Sequence, residues 1–80
     1  MTSVYIIYSH TLKKCYVGHA KDVEKRLVQH NSGKGNFTSK GVPWILIIQI
    51  NCINRSEAVL LELKVKKRGI GRYLADIGIR

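Results

Sequence analysis

Two runs of β-branched and aromatic residues, Val4-Tyr5-Ile6-Ile7-Tyr8 and Cys15-Tyr16-Val17, flank a polar stretch of turn length, Ser9 to Lys14. Such runs favour strands, and a connection that short predicts a hairpin, closed at Gly18. Everything else the chain forms must pack on that hairpin, because 80 residues supply one core and therefore one domain over residues 1–80. A chain of this length buries only about 60% of its unfolded surface, so its stability margin is expected to be thin.

The remaining elements follow from caps and breakers. Asp22 reads as the N-cap of a helix from Val23 to about Asn31. Residues 31–41 are rich in Gly, Ser and Asn and read as a loop that ends at Pro43. Trp44 to about Ile50 has no polar residue before Gln49, the pattern of a strand covered on both faces. Ser56 is expected to cap a second helix, Glu57 to about Arg68, which Gly69 and Gly71 break. Tyr73, Leu74 and Ile77 have the spacing of a short final helix. The order β-β-α-β-α-α gives an α+β fold, one small sheet flanked by helices. The longest apolar run, Trp44 to Ile48, is too short to cross a bilayer, and no signal peptide is visible. Cys15 and Cys52 lie far apart without zinc-ligand spacing. A cytoplasmic domain with reduced cysteines is the expectation.

Charge supplies the first functional clue. Fourteen Lys and Arg against five Asp and Glu leave +9, and the excess is spread over both halves of the chain. Solubility alone needs a charge of only about 2–8 on a small domain. A folded body with this field attracts polyanions, nucleic acid foremost, and no basic amphipathic helix suggests a membrane partner. A homodimer is compatible with the sequence.

Polar residues on faces meant for the core supply the second clue. On the first helix Val23 and Leu27 mark the inward stripe, with His30 about 20° and Arg26 about 60° to one side of Val23. They either snorkel to water or share an anion site. On the second helix Glu62 lies about 40° from Ala58 on the stripe of Ala58, Leu61 and Val65. It makes an ordinary helix pair with Lys66 or holds another cation. Tyr5 and Tyr16 come from paired strands, where aromatic pairs are common sheet glue but two phenols can also converge. Gly18 permits close approach or merely a turn. Phenol, guanidinium, imidazole and carboxylate in a basic domain suit phosphodiester hydrolysis.

At these residues the sequence resembles the GIY-YIG endonucleases. Ser3-Val4-Tyr5 corresponds to the first motif, with Ser3 in place of its glycine, and Tyr16-Val17-Gly18 to the second. The stretch from Gly18 to Leu27 has the family's spacing to its helical arginine, Arg26, and His30 falls where a histidine or tyrosine is found. His30 to Gly35, Ser56-Glu57-Ala58 leading into Glu62, and Lys66-Lys67-Arg68-Gly69 are similar to the short single-domain bacterial members. The resemblance implies a three-stranded antiparallel sheet and one divalent ion, Mg²⁺ or Mn²⁺, held by Glu62. It implies DNA as substrate, branched or nicked, with DNA repair or recombination as the process. It also implies catalytic roles for Tyr5, Tyr16, Arg26, His30 and Glu62, with Tyr16 as general base or water-orienting group. Those five side chains are expected to line one concave surface. Gly18, His19, Lys34, Lys40, Lys66 and Lys67 are expected to contact substrate; His19 stands where lysine, serine or threonine is frequent. The competing expectation is a nucleic-acid-binding domain that keeps the fold without catalysis.

Overall fold

The computed structural model describes residues 1–33 and 38–79. The hairpin forms as β1 (Thr2–Ser9) and β2 (Lys14–Ala20), both longer than their apolar runs. Gly18 does not close β2 but lies inside it, opposite Tyr5. Helix α1 (Val23–Asn31) starts at Asp22, whose carboxylate accepts the Lys25 amide at 3.0 Å. A single 3₁₀ turn (Thr38–Gly41) lies within the segment read as loop. It leads into β3 (Trp44–Cys52).

The antiparallel sheet has the order β2-β1-β3. The strand covered on both faces is therefore β1, where Val4, Ile6 and Ile7 have no exposed surface, and not β3. β3 is an edge strand, with Ile45, Leu46 and Ile47 open to solvent. An apolar run specifies burial but not which face or edge receives it. Ile47 is the extra residue of a bulge, since Ile6 pairs with Ile48 and Ile7 with Leu46.

Helix α2 (Arg55–Arg68) begins two residues earlier than expected. Asn54, not Ser56, is its cap, accepting the Glu57 amide at 2.9 Å. Gly69 ends it with φ +97°, a conformation costly for residues with a Cβ. Gly71 breaks nothing; it sits inside α3 (Ile70–Asp76). A bidentate pair, Arg68 Nε to Asp76 Oδ2 at 2.7 Å and Nη2 to Oδ1 at 3.0 Å, ties α2 to α3.

Alternation along β1 feeds two cores. Val4 and Ile6 pack with Val17, Ala58, Val65 and Leu74 beneath α2 and α3. Tyr5 and Ile7 pack with Ala20, Val23 and Trp44 on the α1 side. Side chains from the two faces can meet around a sheet edge, and β2 is one of the two edge strands. Among the described residues no helix is long and apolar enough to cross a membrane.

Candidate active site around the edge of strand β2

Tyr5 is 2% exposed, yet its phenol reaches toward the β2 edge because its cross-strand neighbour has no side chain. A Cβ at Gly18 would lie 2.7 Å from Tyr5 Oη and 2.9 Å from Cζ. The glycine is needed for this close approach, not for a turn.

Behind the phenol runs a buried polar chain. Tyr5 Oη is 2.8 Å from His30 Nε2, and His30 Nδ1 is 2.9 Å from Thr38 Oγ1. The Trp44 indole N–H donates to the Thr38 carbonyl at 2.7 Å, fixing the 3₁₀ turn that presents the hydroxyl. A neutral imidazole satisfies both neighbours in either tautomer: Nδ1–H donates to Thr38 while Tyr5 donates to Nε2, or every donor reverses. Burial and the nearby Arg26 charge hold the His30 pKa below its ordinary value, so the ring stays neutral. Sequence patterning placed His30 beside Arg26 at the margin of the helix; in the fold it points inward, while Arg26 is exposed. Thr38 was missed altogether, for a lone threonine in a polar segment gives no signal.

Tyr16 projects on the α1 side, its ring 5.4 Å from that of His30 and 6.3 Å from that of Trp44. The Tyr5 pKa is pushed up to about 12, by burial first and then by Tyr16; Arg26 opposes the shift and Glu62 adds to it. One phenol thus lies within electrostatic reach of the other tyrosine, the guanidinium and the carboxylate. In the unfolded chain a phenol ionises near 10. Stability from keeping Tyr5 neutral is therefore complete below pH 10 and is lost as pH rises through about 12. An ultraviolet absorbance titration should show a late tyrosine phase near pH 12 that coincides with alkaline unfolding. Tyr5→Phe should remove that late phase, and a parent without it, or a variant that keeps it, would contradict the assignment.

Glu62 reaches the same edge from α2. Its Oε1 is 2.6 Å from His19 Nδ1, and its Oε2 accepts from Lys66 Nζ at 2.8 Å. Burial works against the charged form, but the hydrogen bonds and positive charge of His19 and Lys66 outweigh it and hold the pKa below the ordinary carboxylate range. His19, expected to touch substrate, is engaged by Glu62. The pleat carried that signal: His19 and Val17 share a face, and Val17 is core. Tyr5, Tyr16 and His30 come from the α1 side and Glu62 from the α2 side, around the edge of β2. Lys66 and Tyr16 line one recess there. Lys40 and Lys67 are exposed. Lys34 lies outside the described residues.

The family model described as the GIY-YIG catalytic domain matches residues 1–69. The chain belongs to the GIY-YIG family. The three-stranded antiparallel sheet and the element order are those expected of a GIY-YIG fold. Among similar proteins, a UPF0213 protein of Staphylococcus saprophyticus is 40% identical over 52 residues, 64% of this chain and 63% of the relative. A UPF0213 protein of Lactococcus lactis subsp. cremoris is 42% identical over 48 residues, 59% of this chain and 49% of that protein. One from Nitratidesulfovibrio vulgaris is 33% identical over 61 residues, 75% of this chain and 56% of the relative. The chain thus spans about half to just under two thirds of the length of these relatives. No solved structure matches it significantly.

GIY-YIG nucleases generally use divalent metal ions. Among the described residues no three His, Cys, Asp or Glu side chains cluster as an all-protein cage would require. Glu62 nonetheless fits an ion of the Mg²⁺ type, which takes one or two carboxylates and completes its shell with water and substrate phosphate. Its carboxylate already faces positive charge at one oxygen, where Lys66 sits. In a GIY-YIG site of this form Glu62 is the residue that would hold the ion.

Proposed function

We propose that this domain is a DNA endonuclease that hydrolyses phosphodiester bonds with a divalent ion held by Glu62. The observation that carries the reading is the Tyr5 phenol, admitted by Gly18 to a position where Arg26, Tyr16 and Glu62 all act on it. A cation bound at Glu62 supplies charge neutralisation for the scissile phosphate. The other tasks fall to the side chains themselves.

Arg26, exposed at the mouth, binds the phosphate and stabilises the charge that develops on it. Tyr5, neutral up to about pH 12, acts as a hydrogen-bond donor that positions phosphate or water rather than as a base. His30 and Thr38 hold it, and in the tautomer protonated at Nε2 the ring donates to the phenol, which keeps its own proton for the phosphate or water. Tyr16, having released its own proton to solvent, orients the attacking water and takes its proton. As the new P–O bond forms, the bond to the leaving sugar oxygen breaks, and that oxygen takes a proton from solvent and leaves as an alcohol. Lys40, Lys66 and Lys67 contact backbone phosphates on either side. Arg68 does not join them, being paired with Asp76.

The test is cleavage of branched, nicked and single-stranded DNA with Mg²⁺ or Mn²⁺, together with binding measured across a salt series. Cleavage by the parent that falls at least about 100-fold in Tyr16→Phe, with binding retained, supports the reading. Affinity should fall steeply with salt and differ little among sequences. Binding without cleavage under either metal would establish the non-catalytic alternative.

A further inference from the structure

The Glu62 carboxylate is covered on both oxygens, but its two partners differ in what they can do. His19 is fixed on β2, at 28% side-chain exposure, and its ring lies on Oε1. Lys66 holds Oε2 from one helical turn away, with its side chain 54% exposed. A lysine ammonium on a four-carbon stem in solvent exchanges partners at little cost, whereas a strand histidine packed beside a core valine does not. The Lys66 side chain also borders the recess lined by Cys15, Tyr16, Val17 and Ile70. That recess lies beside the tyrosine assigned to the attacking water, where a phosphate would arrive.

We propose that Lys66 is an exchangeable cap on the metal-binding carboxylate. In the free protein its ammonium takes the place of the cation on Oε2, and a DNA phosphate draws it away and opens that oxygen to the divalent ion. His19 stays on Oε1 throughout and keeps the carboxylate aimed. Metal and DNA therefore favour each other's binding, because in the free protein the ion must enter beside a positive charge that DNA draws away. The inference rests on the nuclease reading for its phosphate, but its first step concerns the free protein alone.

The experiment measures Mn²⁺ binding to the free protein by electron paramagnetic resonance, with no DNA and no cleavage. The parent, Lys66→Gln, Lys66→Met and Lys66→Gln combined with Glu62→Gln are compared. Both single variants should bind Mn²⁺ roughly tenfold more tightly than the parent, the effect of removing a unit charge beside a dication. The double variant should lose that gain. A parallel salt series without metal should show the DNA-binding slope of each single variant reduced by about 1, one phosphate contact. Equal Mn²⁺ affinity in parent and single variants would overturn the cap. So would a gain that survives loss of Glu62, or an unchanged salt slope. Tighter Mn²⁺ binding through Glu62 in a protein that cleaves nothing would leave the cap standing while the nuclease reading fell.

Discussion

Gly18→Ala is expected to lower the unfolding free energy by about 1–3 kcal/mol, with chemical denaturation as the measurement. Cleavage should fall at least about 100-fold, the loss typical of a reacting group displaced by about 1 Å. The new methyl carbon would sit 2.7 Å from Tyr5 Oη and 2.9 Å from Cζ, well inside van der Waals contact. Tyr5 has no room to retreat, since it is 2% exposed and its other side is held by His30. The backbone at Gly18 is that of an ordinary strand, so alanine brings no conformational penalty of its own. Pairing Gly18→Ala with Tyr5→Leu therefore isolates the clash. The double variant should recover much of the stability and none of the cleavage. An alanine variant as stable and active as the parent would show that the tight approach does not position the phenol.

The glycine also marks what a sequence of this kind discloses and what it withholds. The hairpin, the Asp22 cap and the element order were legible because each depends on residues close together in the chain. Glu62 drew attention as an acid on an apolar stripe, and its pair with Lys66 is a one-turn relation that spacing predicts. The face of His19 could be read from the pleat it shares with Val17, but Glu62 as its partner, 43 residues away, and Thr38 as the partner of His30, 8 residues away, could not. Packing of α2 on β2 supplies the first contact and the 3₁₀ turn the second. The assignment of β3 as a covered strand failed for a related reason. Continuous apolar residues record that a strand is sticky, while its place in the sheet is decided by β1 pairing on both sides. The second helix began at Asn54 because an amide two residues earlier meets the Glu57 N–H, and serine at position 56 then falls inside the first turn.

Glu62→Gln should separate binding from chemistry more cleanly than any other single change. The amide retains the shape of the carboxylate, and its oxygen can still accept from Lys66 or from His19, so the fold should persist. The negative charge is gone, however, and the formal net charge rises by one from +9. Without a carboxylate a divalent ion has no anionic protein ligand, and cleavage should drop by about 100- to 1000-fold. DNA binding should move the other way. Lys66 no longer has a carboxylate charge to leave, so it meets its phosphate at lower cost and affinity rises, while the salt slope keeps the Lys66 contact it already has in the parent. Weaker binding in parallel with lost cleavage would instead mean that Glu62 maintains the DNA surface as a whole. Retained cleavage would remove the carboxylate from the chemistry. Tighter binding by a protein that no longer cuts requires an acid placed inside a basic surface for a purpose other than affinity.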